Sequence, residues 1–294
     1  MQATTNPQLG LLGSLMTATP TNEFLERLDR TLNWVPLVLF KLSLLQRCYG
    51  LSGPQCEELV SDRLSWWRFV GLQDAVPDET TLVRFRQRLR EHGLHENLLG
   101  LVNRQLQTKG LILKTCTLVD ATLLQAARRA PVKGDFTGGD GDAGYTVKKG
   151  RPHYGYKAHV AVDEMHTLIR QVTPTAASVS DSQEFENVVR GDEGMVMADK
   201  AYWSQARSEW CGKHGVANWI LSQPSRGQKL RPATVRANRW FSSIWCKIET
   251  VFTWWKRSAG YRRVRYVGQA ANRLELEFNS ICWNLKRMAN LSAA

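Results

Sequence analysis

The sequence lacks the patterns typical of secreted, membrane-spanning and zinc-stabilised proteins. Its six cysteines are far apart and include no Cys-x-x-Cys pair, so neither a zinc ribbon nor a disulfide framework is indicated. The chain does not begin with a basic segment followed by an apolar one, and its longest apolar run, residues 35–45, is interrupted by Pro36 and Lys41. These absences predict a folded cytoplasmic protein with reduced thiols and no membrane partner.

Acidic residues are scarce near the C-terminus, where basic residues are concentrated. The chain has 39 Lys and Arg against 27 Asp and Glu, a formal net charge of +12. Between positions 226 and 268 a single acid, Glu249, accompanies eleven basic residues. The eleven are Arg226, Lys229, Arg231, Arg236, Arg239, Lys247, Lys256, Arg257, Arg262, Arg263 and Arg265. Phosphate binding requires charge in one place, whereas a surface kept basic for solubility would spread it, so the distribution indicates a polyanionic partner.

Tryptophans are interleaved with these charges, and two interpretations of them remain open. Trp240, Trp245, Trp254 and Trp255 could stack on unpaired bases while neighbouring cations hold the phosphates. They could equally form the buried face of a long helix, which the pattern predicts over residues 235–258. Helical spacing alone does not separate the two interpretations.

Residues 21–113 have the apolar spacing of short helices separated by turns. Ser52 precedes a Gly-Pro pair that opens one helix, and Asp78 or Thr80 is placed to cap another over residues 82–91. This second helix carries the arginines Arg84, Arg86, Arg88 and Arg90. A helix-turn-helix DNA reader and a helical bundle with a solvated arginine face both fit the pattern.

From residue 114 strands alternate with helices, which describes a mixed α/β sheet covered by helices. The predicted strands cover residues 117–120, 156–163, 168–174, 195–201 and 218–221. The predicted helices cover residues 181–190, 204–215, 235–258 and 272–291, and the last is expected to pack back on the sheet. Residues 131–155, rich in glycine and charge, are expected to form a mobile loop.

Three carboxylates stand out in this α/β part. Asp120 and Asp199 each follow an apolar strand, where an acid can serve a site but can also cap a helix or form a turn. Glu249 lies among cations and would repel phosphate unless it held a metal ion, although an intrahelical pair with Lys256 is the alternative. Phosphodiester cleavage uses two divalent cations about 3.5–4 Å apart, and magnesium takes oxygen ligands. The three acids are therefore predicted to be catalytic metal ligands.

These residues resemble the DDE transposases of bacterial insertion sequences, particularly the branch called insertion sequence five. Val119-Asp120-Ala121-Thr122 resembles the first-aspartate block, residues 156–163 the second strand, and residues 191–202 the second-aspartate block. The third block, Tyr-x2-Arg-x3-Glu-x6-Lys, is matched by Glu249 and Lys256, while Ser242 and Trp245 occupy the tyrosine and arginine positions. Residues 44–52 and 77–86 are similar to the family's N-terminal helical domain.

The resemblance implies an RNase H-like mixed sheet flanked by helices and preceded by an all-helical domain. It implies two Mg²⁺ or Mn²⁺ ions, double-stranded DNA with terminal inverted repeats and a target DNA as partners, and a synaptic homodimer acting at the bacterial nucleoid. We expect a flexible N-terminus at 1–20, a helical DNA-binding or dimerisation domain at 21–112, and the catalytic domain at 113–294, with a mobile loop at about 130–155. The candidate DNA-binding residues are Lys256, Lys247, Arg239, Arg257, Arg262, Arg263, Arg84, Arg86 and Arg88.

Two other functions remain open at this point. A former transposase that binds DNA without cutting it is suggested by Trp245 in the arginine position, where Lys247 or Arg239 would have to supply the phosphate contact. A nuclease with the same core but no strand transfer would use the same three acids. The intact set of acids favours an active transposase over the first alternative.

Overall fold

The computed structural model describes residues 38–72, 75–94, 98–131, 138–220 and 232–291, without the side chains of residues 232–235 and 237. These residues divide between two compact units, one ending at Arg88 and including the chain from Met288 onward, the other covering Leu89–Arg287. The predicted flexible terminus at 1–20 lies outside the described residues. Among the described residues, no helix is long and apolar enough to cross a membrane.

The first unit is built from short helices with the predicted caps. They are α1 (Val38–Cys48), α2 (Gly53–Asp62), α3 (Leu64–Val70) and α4 (Glu79–Glu91). Ser52 forms a capping box with Gln55, in which the Ser52 amide donates to Gln55 Oε1 over 3.0 Å. Asp78 Oδ1 accepts the Thr81 amide over 2.7 Å, so α4 begins three residues earlier than the predicted 82–91 helix.

The second unit contains a mixed sheet. Its strands are β1 (Thr117–Gln125), β2 (Gly144–Lys148), β3 (Arg151–Asp163), β4 (Ile169–Ala176), β5 (Met195–Ala198) and β6 (Ala217–Ile220). Its helices are α5 (Leu98–Thr108), α6 (Phe185–Val188), α7 (Gln205–His214), α8 (Pro232–Arg257) and α9 (Gln269–Leu291). Helix α5 belongs to this unit, whereas the sequence predicts a catalytic domain from residue 113.

The strand order is β2-β3-β1-β5-β6, and β4 pairs with β3 beside β2. Strands β1, β3 and β4 are antiparallel, while β5 and β6 run parallel to β1. Three antiparallel strands followed by two parallel strands that are reached through helices form the RNase H-like sheet, which confirms the predicted fold class.

Apolar packing covers both faces of the sheet. On one face Val196 and Ala198 of β5 pack with Phe185 and Tyr202 in a fully buried cluster. On the other, Asn284 of α9 accepts the Ile169 amide over 2.7 Å, so the last helix packs back on the sheet as predicted. Burying the edge of β4 under α9 satisfies a backbone donor that would otherwise be unpaired.

The predicted mobile loop at 131–155 is wrong for its described part. Residues 144–148 form β2, which pairs with 151–155 of β3, while 132–137 lie outside the described residues. The segment is anchored by Asp140, which is 2% exposed and accepts hydrogen bonds from the Tyr156 hydroxyl over 2.7 Å and the Gly268 amide over 3.2 Å. The composition of the segment predicts a mobile loop because composition does not reveal these stabilising contacts, which come from distant parts of the chain.

Candidate active site

Backbone register places Asp120 and Asp199 side by side. Strands β1 and β5 run parallel, and their pairing ends at the Val119–Ala198 pair. The next residue on each strand is one of the two acids, and neighbouring strands lie about 4.8 Å apart. Strand β1 itself continues to Gln125 against β3, so Asp120 lies within its strand and not at the predicted end.

Asp199 also fulfils the capping role considered for it. The predicted strand at 195–201 stops at Ala198, and a short 3₁₀ helix, Lys200–Tyr202, follows. Asp199 Oδ1 accepts the Lys200 amide over 2.6 Å as the N-cap of that helix. The cap fixes the carboxylate at the end of β5 and leaves it beside Asp120.

Helix α8 brings Glu249 to the same region. Its buried side includes Ile248, Val251, Phe252 and Trp255, and it packs against β1 and β5. Glu249 lies on its exposed side. The helix thus adds an acid from across the chain to the pair held by the sheet.

All three acids line one cleft of about 940 Å³. On β1 and β3 the cleft is also lined by Thr122, Gln125, His153 and Tyr154. Basic side chains complete it, namely Lys148, Lys256, Arg257 and Arg262. The cleft therefore combines carboxylates with cations, which is the arrangement needed to hold a metal ion beside a phosphate.

The pKa of Asp120 is raised to about 7, chiefly by burial and to a smaller extent by the neighbouring charges of Asp199 and Asp181. The Ala121 amide and the Lys148 ammonium oppose this rise. Asp120 forms no ion pair with any described residue. A buried carboxylate beside other carboxylates would be relieved of its repulsion by a bound cation.

The basic wall is organised around Lys256. Its ammonium donates to Thr122 Oγ1 over 2.5 Å, which ties the end of α8 to the strand that carries Asp120. Burial lowers the pKa of Lys256, and the like charges of Lys148 and Arg262 lower it further. Arg262 in turn donates through Nε to the Lys256 carbonyl over 3.0 Å. These three cations therefore crowd one side of the cleft, where an anion would be stabilised.

The donor chemistry fits a divalent cation, although the donors are not gathered as a cage. Asp120, Asp199 and Glu249 offer only oxygen ligands, the kind that Mg²⁺ and Mn²⁺ take. Within the described part of the chain, no three His, Cys, Asp or Glu side chains are grouped closely enough to hold a metal ion. Glu249 lines the same cleft from the exposed side of α8.

Sequence reasoning missed a fourth carboxylate, Asp181, and its partner Lys157. Asp181 also lines the cleft, and its Oδ1 accepts the Lys157 ammonium over 2.8 Å. Lys157 also donates to the Val179 carbonyl over 2.7 Å. Asp181 follows the Ser180 cap of a short 3₁₀ helix after β4, and that position resembles an ordinary helix start. Only the position of β4 beside β3 brings it to the cleft.

Some candidate DNA-binding residues occupy other places in the second unit. Lys247 forms an ion pair with Glu164 and does not line the cleft, and its expected phosphate contact stays a prediction. Arg239 is exposed on α8 outside the cleft lining. Arg263 is exposed at the rim, where its guanidinium donates to Gln125 Oε1 over 3.4 Å.

The arginines of α4 divide into two kinds. Arg86 is 8% exposed and donates to the Gln46 side chain, which makes it part of the interior of the first unit. Arg86 thus has an internal partner, and its expected role as a DNA contact stays a prediction. Arg84 and Arg88, four residues apart, are exposed on one side of the helix.

The tryptophans of α8 also divide. Trp254 and Trp255 are buried, which favours the core interpretation for these two. Trp240 is 49% exposed and meets Trp219 edge to face, with ring centroids 5.4 Å apart. Trp245, in the arginine position of the third block, lines the cleft without bringing a charge to it.

Comparison with known proteins agrees with this geometry. Residues 112–285, more than half of the chain, match the family described as Transposase DDE domain. Residues 15–88 match a second family, described as Transposase domain (DUF772).

Similar solved structures include the piggyBac transposase synaptic complex with hairpin DNA, at a TM-score of 0.45 and 10% identity over 95% of this chain and 70% of that chain. They also include the Mos1 transposase paired-end complex with left transposon end, at a TM-score of 0.23 and 10% identity over 74% of this chain and 80% of that chain. The strand order and register of the sheet define the fold.

Proposed function

We propose that this chain, which belongs to the Transposase DDE domain family, cuts and joins DNA with Asp120, Asp199 and Glu249 as its catalytic metal ligands. DNA transposition is the function of that family. The observation that carries the assignment of the three residues is the cleft that register-matched Asp120 and Asp199 line together with Glu249 of α8 and several cations.

The proposed cofactors are two Mg²⁺ or Mn²⁺ ions. Bound there, they would supply an activated water or 3′ hydroxyl and charge stabilisation at the leaving oxygen. Asp120 and Asp199 would hold them from adjacent strands, and Glu249 would complete the ligand set from α8. Burial and neighbouring carboxylates disfavour the lone negative charge of Asp120, and a bound cation would relieve this cost, which supports its role as a ligand.

Lys256 and Arg262 would orient the scissile phosphate. Thr122 fixes the Lys256 ammonium beside Asp120, so a phosphate on the ions would meet a positioned cation. Arg257 lines the same cleft and Arg263 extends the basic surface at its rim. Such fixed cations stabilise the charge that develops on the phosphoryl oxygens.

The proposed substrates are double-stranded DNA with terminal inverted repeats and a target DNA, held in a synaptic homodimer at the bacterial nucleoid. The helical unit before Arg88 would select the element ends. Exposed Arg84 and Arg88 support this role, because they present two charges on one side of α4. The boundary that the sequence predicts between a helical domain at 21–112 and a catalytic domain at 113–294 shifts toward residue 88 in this proposal.

The test compares wild type, Glu249→Gln and Glu209→Gln on DNA carrying the element's own ends, with and without Mg²⁺. Glu209 is an exposed acid on α7 outside the cleft and serves as the matched control. We expect wild type and the control to cut and join in Mg²⁺, while Glu249→Gln binds the DNA and does neither. Equal activity of all three proteins would remove Glu249 from the site, and binding without reaction by wild type would establish the non-catalytic alternative.

A further inference from the structure

The hairpin formed by β2 and β3 carries a basic tip at the mouth of the cleft. Lys148 and Arg151 are the last paired residues, and Lys149-Gly150 form the turn between them. Lys149 has φ 52° and Gly150 has φ 73°, the positive values that a two-residue type I′ turn requires. The tip is therefore a tight turn flanked by three positive charges.

The charges at this tip have no ion-pair partner among the described residues. Lys148, Lys149 and Arg151 are exposed, and none forms an ion pair within the described part of the chain. In the same unit, Lys157, Arg170 and Lys247 are all paired with acids. Exposed cations on a structured turn that have no ion-pair partner attract an anion.

The base of the hairpin is held firmly. Tyr154 donates its hydroxyl to the Asp140 carbonyl over 2.7 Å and accepts the Asp140 amide over 2.9 Å. The Tyr145 and Tyr154 rings pack 4.8 Å apart across the two strands. The Asp140 carboxylate is itself anchored by Tyr156 and Gly268. A fixed base holds the backbone of the tip in place, so binding does not have to order the turn itself.

The hairpin opens directly onto the proposed catalytic cleft. Lys148 lines both that cleft and an adjoining cavity of about 220 Å³, which Lys157 and Asp181 also line. His153 and Tyr154 of β3 line the cleft from the same hairpin. Lys149 and Arg151 continue the positive charge from Lys148 toward solvent. The cations thus form a path leading from the reacting phosphate to the surface.

We propose that the β2–β3 hairpin is a DNA-binding arm, in which Lys148 holds a phosphate next to the scissile one and Lys149 and Arg151 hold the following phosphates of the same strand. This inference rests on the proposed function. Element-end DNA and target DNA present the same phosphate chemistry, and the arm contacts phosphates and does not read bases. The arm would therefore increase the affinity of the protein for both kinds of DNA, except where the assembled complex lets only one of them reach the hairpin.

The experiment neutralises the tip in a protein that binds without cutting. The variant Lys148→Gln/Lys149→Asn/Arg151→Gln is made with Asp120→Asn, and asparagine is chosen at 149 because it tolerates positive φ. The matched control, Arg104→Gln/Lys109→Gln/Lys213→Gln, removes three exposed charges that lie outside the cleft lining.

Affinity is measured by fluorescence anisotropy against salt, with one duplex carrying the element's end and one unrelated duplex. We expect the tip variant to reduce the slope of log K against log salt by up to about 2.7, or 0.9 for each of three contacts. The control should change it little. If the slope changes with the end duplex alone, the arm binds the element end. If it changes with the unrelated duplex alone, the arm binds target DNA.

Unchanged slopes with both duplexes, in a tip variant that melts like its parent, would overturn the inference. In that case the charges only protect the free edge of β2 from pairing with other chains, and aggregation of the variant would accompany the unchanged slopes. Failure of the parent protein to bind either duplex would instead refute the proposed function together with the arm. The single change Lys148→Gln keeps the test valid if the triple variant does not fold.

Discussion

Replacing Arg170 with methionine should destabilise the second unit more than most single changes, because it leaves a buried carboxylate without its cation. The Arg170 side chain is 5% exposed and that of Glu193 is 1% exposed, with Nη1 and Oε1 2.9 Å apart. Arg170 also reaches Asp192 over 2.5 Å and donates to Thr117 Oγ1. The network ties β4 to the start of β1 and to the segment before β5.

The magnitude follows from what remains after the substitution. Glu193 would keep the amides of Arg190 and Gly191, at 3.1 and 2.7 Å, but would lose its only charged partner among the described residues. Breaking one side of a buried ion pair costs about 3–5 kcal/mol. Because Glu193 retains these two hydrogen bonds, Arg170→Met should lower the free energy of unfolding by about 3 kcal/mol, the lower end of that range. Asp192 adds little because its side chain is 39% exposed.

Urea unfolding, followed by tryptophan fluorescence and circular dichroism, measures this cost against wild type. The double variant Arg170→Met/Glu193→Met should be more stable than the sum of its single changes predicts, because no unpaired charge remains. A loss below about 1 kcal/mol for Arg170→Met, or strict additivity in the double variant, would refute the reasoning. Either result would mean that water reaches Glu193 or that the unit relaxes around it.

Three further outcomes are expected. Gly155→Ala should lower the free energy of unfolding by about 3 kcal/mol, since a Cβ there would lie 2.1 Å from the Leu124 carbonyl oxygen. Gly212→Ala, in α7, should leave stability unchanged or raise it by up to about 1 kcal/mol, because a Cβ there meets open space. Thermal unfolding measures both. Iodoacetamide at pH 8 should modify exposed Cys246 first in peptide mass spectrometry, because burial and nearby acids raise the pKa of Cys116 to about 12 and keep it a thiol. Ser52→Ala should cost about 1 kcal/mol in urea unfolding by removing the α2 cap.

Each of these expectations has a contrary result. Equal melting temperatures for the two glycine variants would mean that β3 moves away from β1 without cost. Modification of Cys116 as fast as Cys246 would show that its strand end opens to solvent. Equal effects of Ser52→Ala and Ser61→Ala would dismiss the cap, because the Ser61 hydroxyl only returns to the Glu57 carbonyl within the same helix.

The sequence was informative wherever local chemistry decides structure. The apolar runs before Asp120 and Asp199 predicted two strands, and Ser52 and Asp78 predicted two helix starts, because caps and alternation act over a few residues. Helix α8 was predicted within a few residues of its bounds. The acids were also correctly placed on the elements that line one cleft, although their role as ligands stays a prediction.

Where distant residues decide structure, sequence patterns failed. The sequence predicts a loop where β2 lies, because the segment is supported through Asp140, whose partners lie in β3 and before α9. The sequence does not reveal that Arg86 and Lys247, two candidate DNA-binding residues, have Gln46 and Glu164 as partners from 40 and 83 residues away. Nothing local in a charged side chain tells whether it will meet an acid, an amide or a phosphate.

Because the β1–β5 pairing ends immediately before Asp120 and Asp199, the position of an inserted residue decides whether the two acids stay side by side. Inserting one residue within β5 would reverse the alternation of its side chains and turn Asp199 to the opposite face, away from Asp120. Residues added between β1 and β2 would leave both strands in register. Single-codon insertions across the reading frame should therefore divide sharply, with inactive copies from 195–199 and working copies from the segment after 126.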